Sequence, residues 1–258
     1  MESPLFYPLL LLISLIANTL SAFAGGGAGL VQFPALILLG LPFGVALATH
    51  KIATVALGIG SAMRYSKEGL ITSKLAIIVL LFGLPGVILG SIVILNINES
   101  FATFLLGLLT LALGLYSITK KTLGEHYQPQ NTHWAGLIKG GSVIFIIGIA
   151  NGSLTSGTGL FATLWFIYWF GLDYRRAVAL TMILVGLFWN GTGAITLTMI
   201  GEVRWDWLIP LLIGSLIGGY LGANIAIKKG NRFIKRGFET ITMLMGISLI
   251  IKVVWGYI

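Results

Sequence analysis

The chain has 258 residues, 57% of them hydrophobic and only 9% charged, with a mean hydropathy of +0.97. An ordinary soluble domain is roughly 25% charged, so this composition excludes a globular enzyme on an anchor and points to a polytopic membrane protein. The absence of cysteine removes disulfides, thiolate catalysis and cysteine metal sites, and the net charge of +8 reads as basic loops beside a bilayer and not as nucleic-acid binding.

In chain order the first apolar segment is 7–23. No basic residue precedes Lys51, so the positive start of a signal peptide is missing and a retained membrane helix is expected. The run Phe23 to Leu30 follows, with Gly25, Gly26, Gly27 and Gly29 opening a segment, 28–39, that is too short to cross a bilayer needing about 20 helical residues. Glycines in this number allow a helix break at membrane depth, where the N–H groups opening the next helix can hold an anion; close helix packing is the competing reading. Gln32 lies just inside the short segment as a further polar candidate.

Segment 44–63 carries His50 and Lys51 inside an apolar run. A cation there is expensive and reads by default as a place where something negative binds or passes. Snorkelling of the lysine stem to the outer interface is the competing reading. His50 opens a route to proton coupling, against the plainer role of a neutral hydrogen-bonding side chain. Arg64 reads as a cytoplasmic anchor. Segments 74–95 and 101–119 follow, then the longest polar stretch, Lys120 to His133, which reads as a linker (121–134) between a first membrane unit, 1–120, and a second, 135–258.

The second unit opens with 135–151 and the run Asn151 to Leu160, which contains Ser153, Thr155, Ser156, Gly157, Thr158 and Gly159 before another short segment, 157–170. Next come 177–199, with Asn190 and Thr192 as uncharged donors, then 206–227 and 237–257. Helix–helix hydrogen bonding is an equal reading of Asn190 and Thr192. Trp134, Trp205, Trp207 and Trp255 stand at segment ends, as an interfacial belt would. The halves repeat at an offset of about 131: Gly40-Leu41 answers Gly171-Leu172, and Gly86 with Gly90 answers Gly218 with Gly222.

Thirteen of the sixteen basic residues fall in or beside four polar stretches on one side, leaving Lys51, Arg204 and Lys252. By the positive-inside rule that side is cytoplasmic and both termini are not. The two units then start on opposite sides. The expected fold is therefore an all-α polytopic membrane protein of about 8–10 membrane segments, built as two inverted-topology repeats with glycine-broken or re-entrant helices. Inverted repeats are a feature of secondary transporters, whose site lies near the midplane between the repeats. No P-loop, metal-ligand spacing, G-x-S-x-G or H-E-x-x-H occurs, so neither a cofactor nor enzymatic chemistry is expected.

Taken in order, Ala24 to Leu30, Gly40-Leu41-Pro42, Ala46 to Lys51, Arg64-Tyr65 leading to Gly69, Ser156 to Gly159 and Ala177-Val178-Ala179 resemble the TauE/SafE family of sulfite and organosulfonate exporters over nearly the whole chain. That family usually has Asn-Lys where this chain has His50-Lys51, and more glycine than Ser156 to Gly159. The resemblance implies a multi-pass permease of the bacterial inner membrane for a small anion, with sulfite or a sulfonate leading. The residues agree on the sign of the charge and say nothing of sulfur. The expected mechanism is alternating access around Gly25, Gly26, Gly27, Gly29, Gln32, His50, Lys51, Ser156, Gly157, Thr158, Gly159 and Asn190. An anion channel and a non-transporting assembly subunit are the alternatives.

Overall fold

The computed structural model describes residues 5–93, 99–154 and 157–255. Glu2, Thr155 and Ser156 lie outside the described residues, as do the side chains of Glu99, Lys252 and Trp255. All regular structure among the described residues is helical: α1 (Phe6–Ala24), α2 (Ala28–Leu38), α3 (Phe43–Tyr65), α4 (Ser73–Val93), α5 (Glu99–Thr119), α6 (Trp134–Ser153), α7 (Thr158–Phe170), α8 (Tyr174–Leu180), a π-helical stretch (Thr181–Trp189), α9 (Asn190–Ile200), α10 (Leu208–Lys229) and α11 (Asn231–Trp255). Among the described residues six stretches are long and apolar enough to cross a membrane: Phe6–Ala24, Phe43–Glu68, Ser73–Val93, Trp134–Ser153, Tyr174–Ile200 and Trp205–Lys229.

Both short helices fold back along the helix before them. Gly25, Gly26 and Gly27 take φ of 88°, 142° and 103°, a run that only glycine adopts cheaply. The chain reverses there, and α2 returns beside α1, where Gln32 Nε2 donates to Ser14 Oγ at 3.0 Å. In the second unit Gly157 (φ 74°) opens α7. Trp165 Nε1 donates to the Gly140 carbonyl at 3.2 Å and Trp169 Nε1 to that of Gly136 at 3.0 Å. As the number rises along α7 it falls along α6, so the two helices are antiparallel. Both pairs are antiparallel hairpins in which a short helix of 11 or 13 residues lies against a helix of 19 or 20.

Close packing rests on small residues. α10 lies along α1 with Gly214, Gly218 and Gly222 against the carbonyls of Leu11, Leu15 and Thr19. α4 lies along α6 with Gly86 and Gly90 against those of Phe145 and Ile149. A Cβ at these glycines would overlap backbone, so the helices approach as only small residues permit. At the centre α3 crosses the π-helical stretch with Gly58 touching Gly186 and Leu187. α5 and α11 pair on one flank.

Charged groups gather at one end of the bundle. Glu68 joins Arg64 (2.8 Å) to Arg175 (3.1 Å), Lys74 reaches the Thr132 carbonyl, Arg232 pairs with Glu125, and Lys235 binds the Lys120 carbonyl and Glu239. All four basic stretches meet there. Arg64 is more than a free anchor, because its Nε also donates to Asn224 Oδ1 at 3.1 Å. The polar stretch between the units lies against the start of the α7–α8 turn: Gln128 N–H donates to the Gly171 carbonyl, Gln130 N–H to that of Phe170, and Tyr174 N–H to that of Gly124. At the opposite end Arg204 N–H donates to Thr49 Oγ1 and its guanidinium pairs with Asp206. Trp134 and Trp205 are exposed as an interfacial belt requires, but Trp207 is buried against Phe6, so Trp207 is a packing residue.

Candidate functional site

The two glycine reversals meet. A Cβ on Gly26 would lie 2.5 Å from the Leu160 nitrogen, and one on Gly159 would lie 3.0 Å from the Gly26 Cα. The start of α2 and the start of α7 are thereby brought together, and each contributes the positive end of a helix dipole. Between them, α3 and the π-helical stretch lies a cavity of about 30 Å³. Its wall includes Ser21, Thr54, Asn151, Thr158, Thr181 and Asn190, with no carboxylate.

Lys51 is wholly buried. Its Nζ donates to Asn151 Oδ1 at 2.7 Å and to Asn190 Oδ1 at 3.1 Å, while Asn151 Nδ2 donates to Thr158 Oγ1 at 2.9 Å. The stem therefore does not snorkel; it points inward, to asparagines of α6 and α9. Lys51 forms no ion pair among the described residues. Two neutral amide oxygens therefore take the place that a carboxylate would fill in a buried ion pair.

A second polar chain backs the cavity. His50 Nδ1 lies 2.9 Å from Gln32 Oε1, Gln32 Nε2 donates to Ser14 Oγ, and Ser14 Oγ donates to the Leu211 carbonyl at 2.6 Å. Ser215 and Asn18 close the cluster. The whole chain is buried. Thr163 Oγ1 donates to the Gly25 carbonyl at 2.6 Å and meets Thr181 Oγ1, tying the first reversal to the second unit.

Of the residues singled out from the sequence, Gly26, Gly27, Gly29, His50, Thr158, Gly159 and Asn190 line the cavity. Gly25, Gln32, Lys51 and Gly157 do not. Lys51 reaches it through two lining asparagines, Gln32 stands behind His50, Gly25 anchors the reversal, and Gly157 faces Leu30 and Thr110. Ser156 falls outside the described residues. Sequence reasoning left Asn151, Thr54 and Thr181 off the list of site residues, and missed the Ser14, Asn18, Ser21 stripe. The stripe was legible as polar residues on one face of an apolar helix. Asn151 stood at the head of its own glycine-rich run. Thr181 belongs to a π-helical stretch, a form that is rare and often found at functional sites and has no composition signal.

Fold and site define a polytopic helical membrane protein with a buried lysine beside two glycine reversals. The family profile of the sulfite exporters TauE/SafE matches residues 10–249, and the chain belongs to that family of membrane transporters. It is 25% identical over 248 residues to a probable membrane transporter protein of Haemophilus influenzae, covering 96% of this chain and 95% of the relative. It is 24% identical over 252 residues to the probable membrane transporter protein YfcA of Escherichia coli K12, covering 97% and 91%. To the probable membrane transporter protein ORF9 of a Sinorhizobium species it is 26% identical over 243 residues, covering 93% and 91%. No solved structure matches it significantly.

Proposed function

We propose that the chain is a secondary transporter for a small oxyanion, sulfite or an organosulfonate leading, that works by alternating access around the Lys51 cavity. The observation that carries this reading is the acid-free cradle: a buried ammonium from the first unit, held by Asn151 and Asn190 of the second, where two helix N-termini converge. A cation shared across the interface ties any ligand there to the relative position of the units. Pairing of α1 with α10 and of α4 with α6, each through the same glycine pair of the repeat, supports two repeats of opposite orientation. Four basic stretches at one end support placing that end in the cytoplasm of a bacterial inner membrane, with both termini on the other side.

The cavity size favours a carrier over a channel. About 30 Å³ is room for a water or two, so an oxyanion enters only when the surrounding helices move. Binding linked to such a rearrangement is what a carrier uses. The test is flux of labelled sulfite, sulfoacetate, sulfate and acetate into proteoliposomes, wild type beside Lys51→Ala. Saturable flux of one sulfur oxyanion, lost in the variant while the protein still inserts, is the expected result. Full flux in Lys51→Ala refutes the site, and unsaturable conductance sends the reading to a channel.

A further inference from the structure

The hydrogen bonds behind His50 fix which kind of group the cavity can accept from its ligand. Ser14 Oγ and the Leu211 carbonyl oxygen are 2.6 Å apart. A carbonyl oxygen only accepts, so the hydroxyl proton of Ser14 is spent there. Towards Gln32 Ser14 Oγ can therefore only accept, and the contact at 3.0 Å requires the Gln32 amide nitrogen. That turns Gln32 Oε1 to His50, and at 2.9 Å the proton between them must come from His50 Nδ1. A flipped amide would set Gln32 Oε1 against an oxygen with no proton to give. The donor sequence runs one way, from His50 through Gln32 and Ser14 to the backbone of α10.

His50 lines the cavity while Gln32 does not, so Nε2 is the ring nitrogen left for a ligand. It has no hydrogen bond to protein among the described residues. Three charged groups bear on its state: Lys51 is the next residue, and beyond Thr49 stand Arg204 and Asp206, which pair with each other. No carboxylate lines the cavity, and a second full positive charge beside Lys51 would be unfavourable there. The ring is neutral, and Nε2 offers a lone pair.

We propose that the site selects an oxyanion that brings its own hydroxyl, donated to His50 Nε2, while the charged oxygens turn to the Lys51 and helix-end side of the cavity. This rests on the anion-carrier reading and narrows it: hydrogensulfite fits, and a fully ionised sulfonate meets a lone pair with a lone pair. His50 is a specificity residue in this scheme, and Gln32 and Ser14 are positioning residues that hold its tautomer. A site built to accept a ligand hydroxyl discriminates strongly against the analogue lacking it.

Methylphosphonate and methanesulfonate make a close probe pair. At mildly acidic pH each is a tetrahedral monoanion with one methyl group, and they differ by one hydroxyl proton. As competitors of labelled sulfite flux, methylphosphonate should be at least about tenfold the stronger in wild type. In His50→Gln, whose amide can turn either its N–H or its C=O to the cavity, the two should fall within about threefold of each other. Lys51-dependent flux with no discrimination in wild type overturns this inference and leaves the carrier reading intact. Absence of Lys51-dependent flux overturns both. Because His50→Gln alters a buried residue, a second measurement stands apart from transport: ¹⁵N-histidine NMR of wild type, in which only His50, His126 and His133 contribute. The His50 resonances should show a protonated Nδ1 and a bare Nε2; a protonated Nε2 overturns the proposal.

Discussion

Replacing Lys51 with Met separates the working cation from the scaffold, because methionine keeps most of the apolar stem and removes the charge together with its hydrogen-bond donors. Burying a lysine at the centre of a membrane helix costs about 2.5–3.5 kcal/mol on insertion scales. Against this stand two hydrogen bonds from a charged donor, to Asn151 and Asn190, each contributing about 1.5–3 kcal/mol, or roughly 3–6 kcal/mol together. Removing the ammonium therefore changes stability by only about −0.5 to +3.5 kcal/mol. Asn151 keeps its donor bond to Thr158, and cavity water can take up the freed oxygens, which pulls the expected value towards the low end. Transport should nevertheless fall at least a hundredfold, because the ligand loses its one buried cation. Denaturation in detergent and flux in proteoliposomes, measured on the same preparation, give the two numbers. Wild-type flux in Lys51→Met would refute the role of the charge. Failure of the variant to insert would show that the ammonium is structural.

Three further outcomes follow from the packing. Gly26→Ala puts a Cβ at φ 142° against the Leu160 nitrogen, so backbone strain of about 1–3 kcal/mol adds to overpacking of about 1–3 kcal/mol; the melting temperature and flux should drop together, and an unchanged protein would mean the two reversals do not touch. Gly218→Ala should cost about 1–3 kcal/mol, because its Cβ would sit 2.7 Å from the Leu15 carbonyl; Gly44→Ala, with nothing within 4 Å, should be neutral or stabilising by thermal unfolding. The chain has no cysteine, so single cysteines report sidedness cleanly. Lys121→Cys should react with an impermeant thiol reagent only in inside-out vesicles and Asp206→Cys only in intact cells; the reverse pattern would invert the topology.

Much of the molecule is legible in its sequence. The segments near 7–23, 44–63, 74–95 and 135–151 are found within two or three residues as α1, α3, α4 and α6, because continuous apolar runs admit little but helices in a bilayer. Glycine-rich runs marked both reversals, and His50, Asn190 and the glycines around them reach one cavity. Sequence left open how the short segments pack. Three successive positive-φ glycines and the reach of Trp165 and Trp169 back to α6 lay each one against the helix before it.

Composition and periodicity determine what each segment can bury, and so they set the helices, the breaks and the absence of carboxylates from the middle of the apolar segments. They cannot say which buried polar groups face one another across 100 or more residues. Lys51 meets Asn151 and Asn190 only because α3 crosses the second unit at Gly58 and Gly186. His50 is joined through Gln32 to Ser14 and the Leu211 carbonyl, 36 and 161 positions away. Polar satisfaction in a low-dielectric interior is a property of the assembled neighbourhood, and only the tertiary structure decides it.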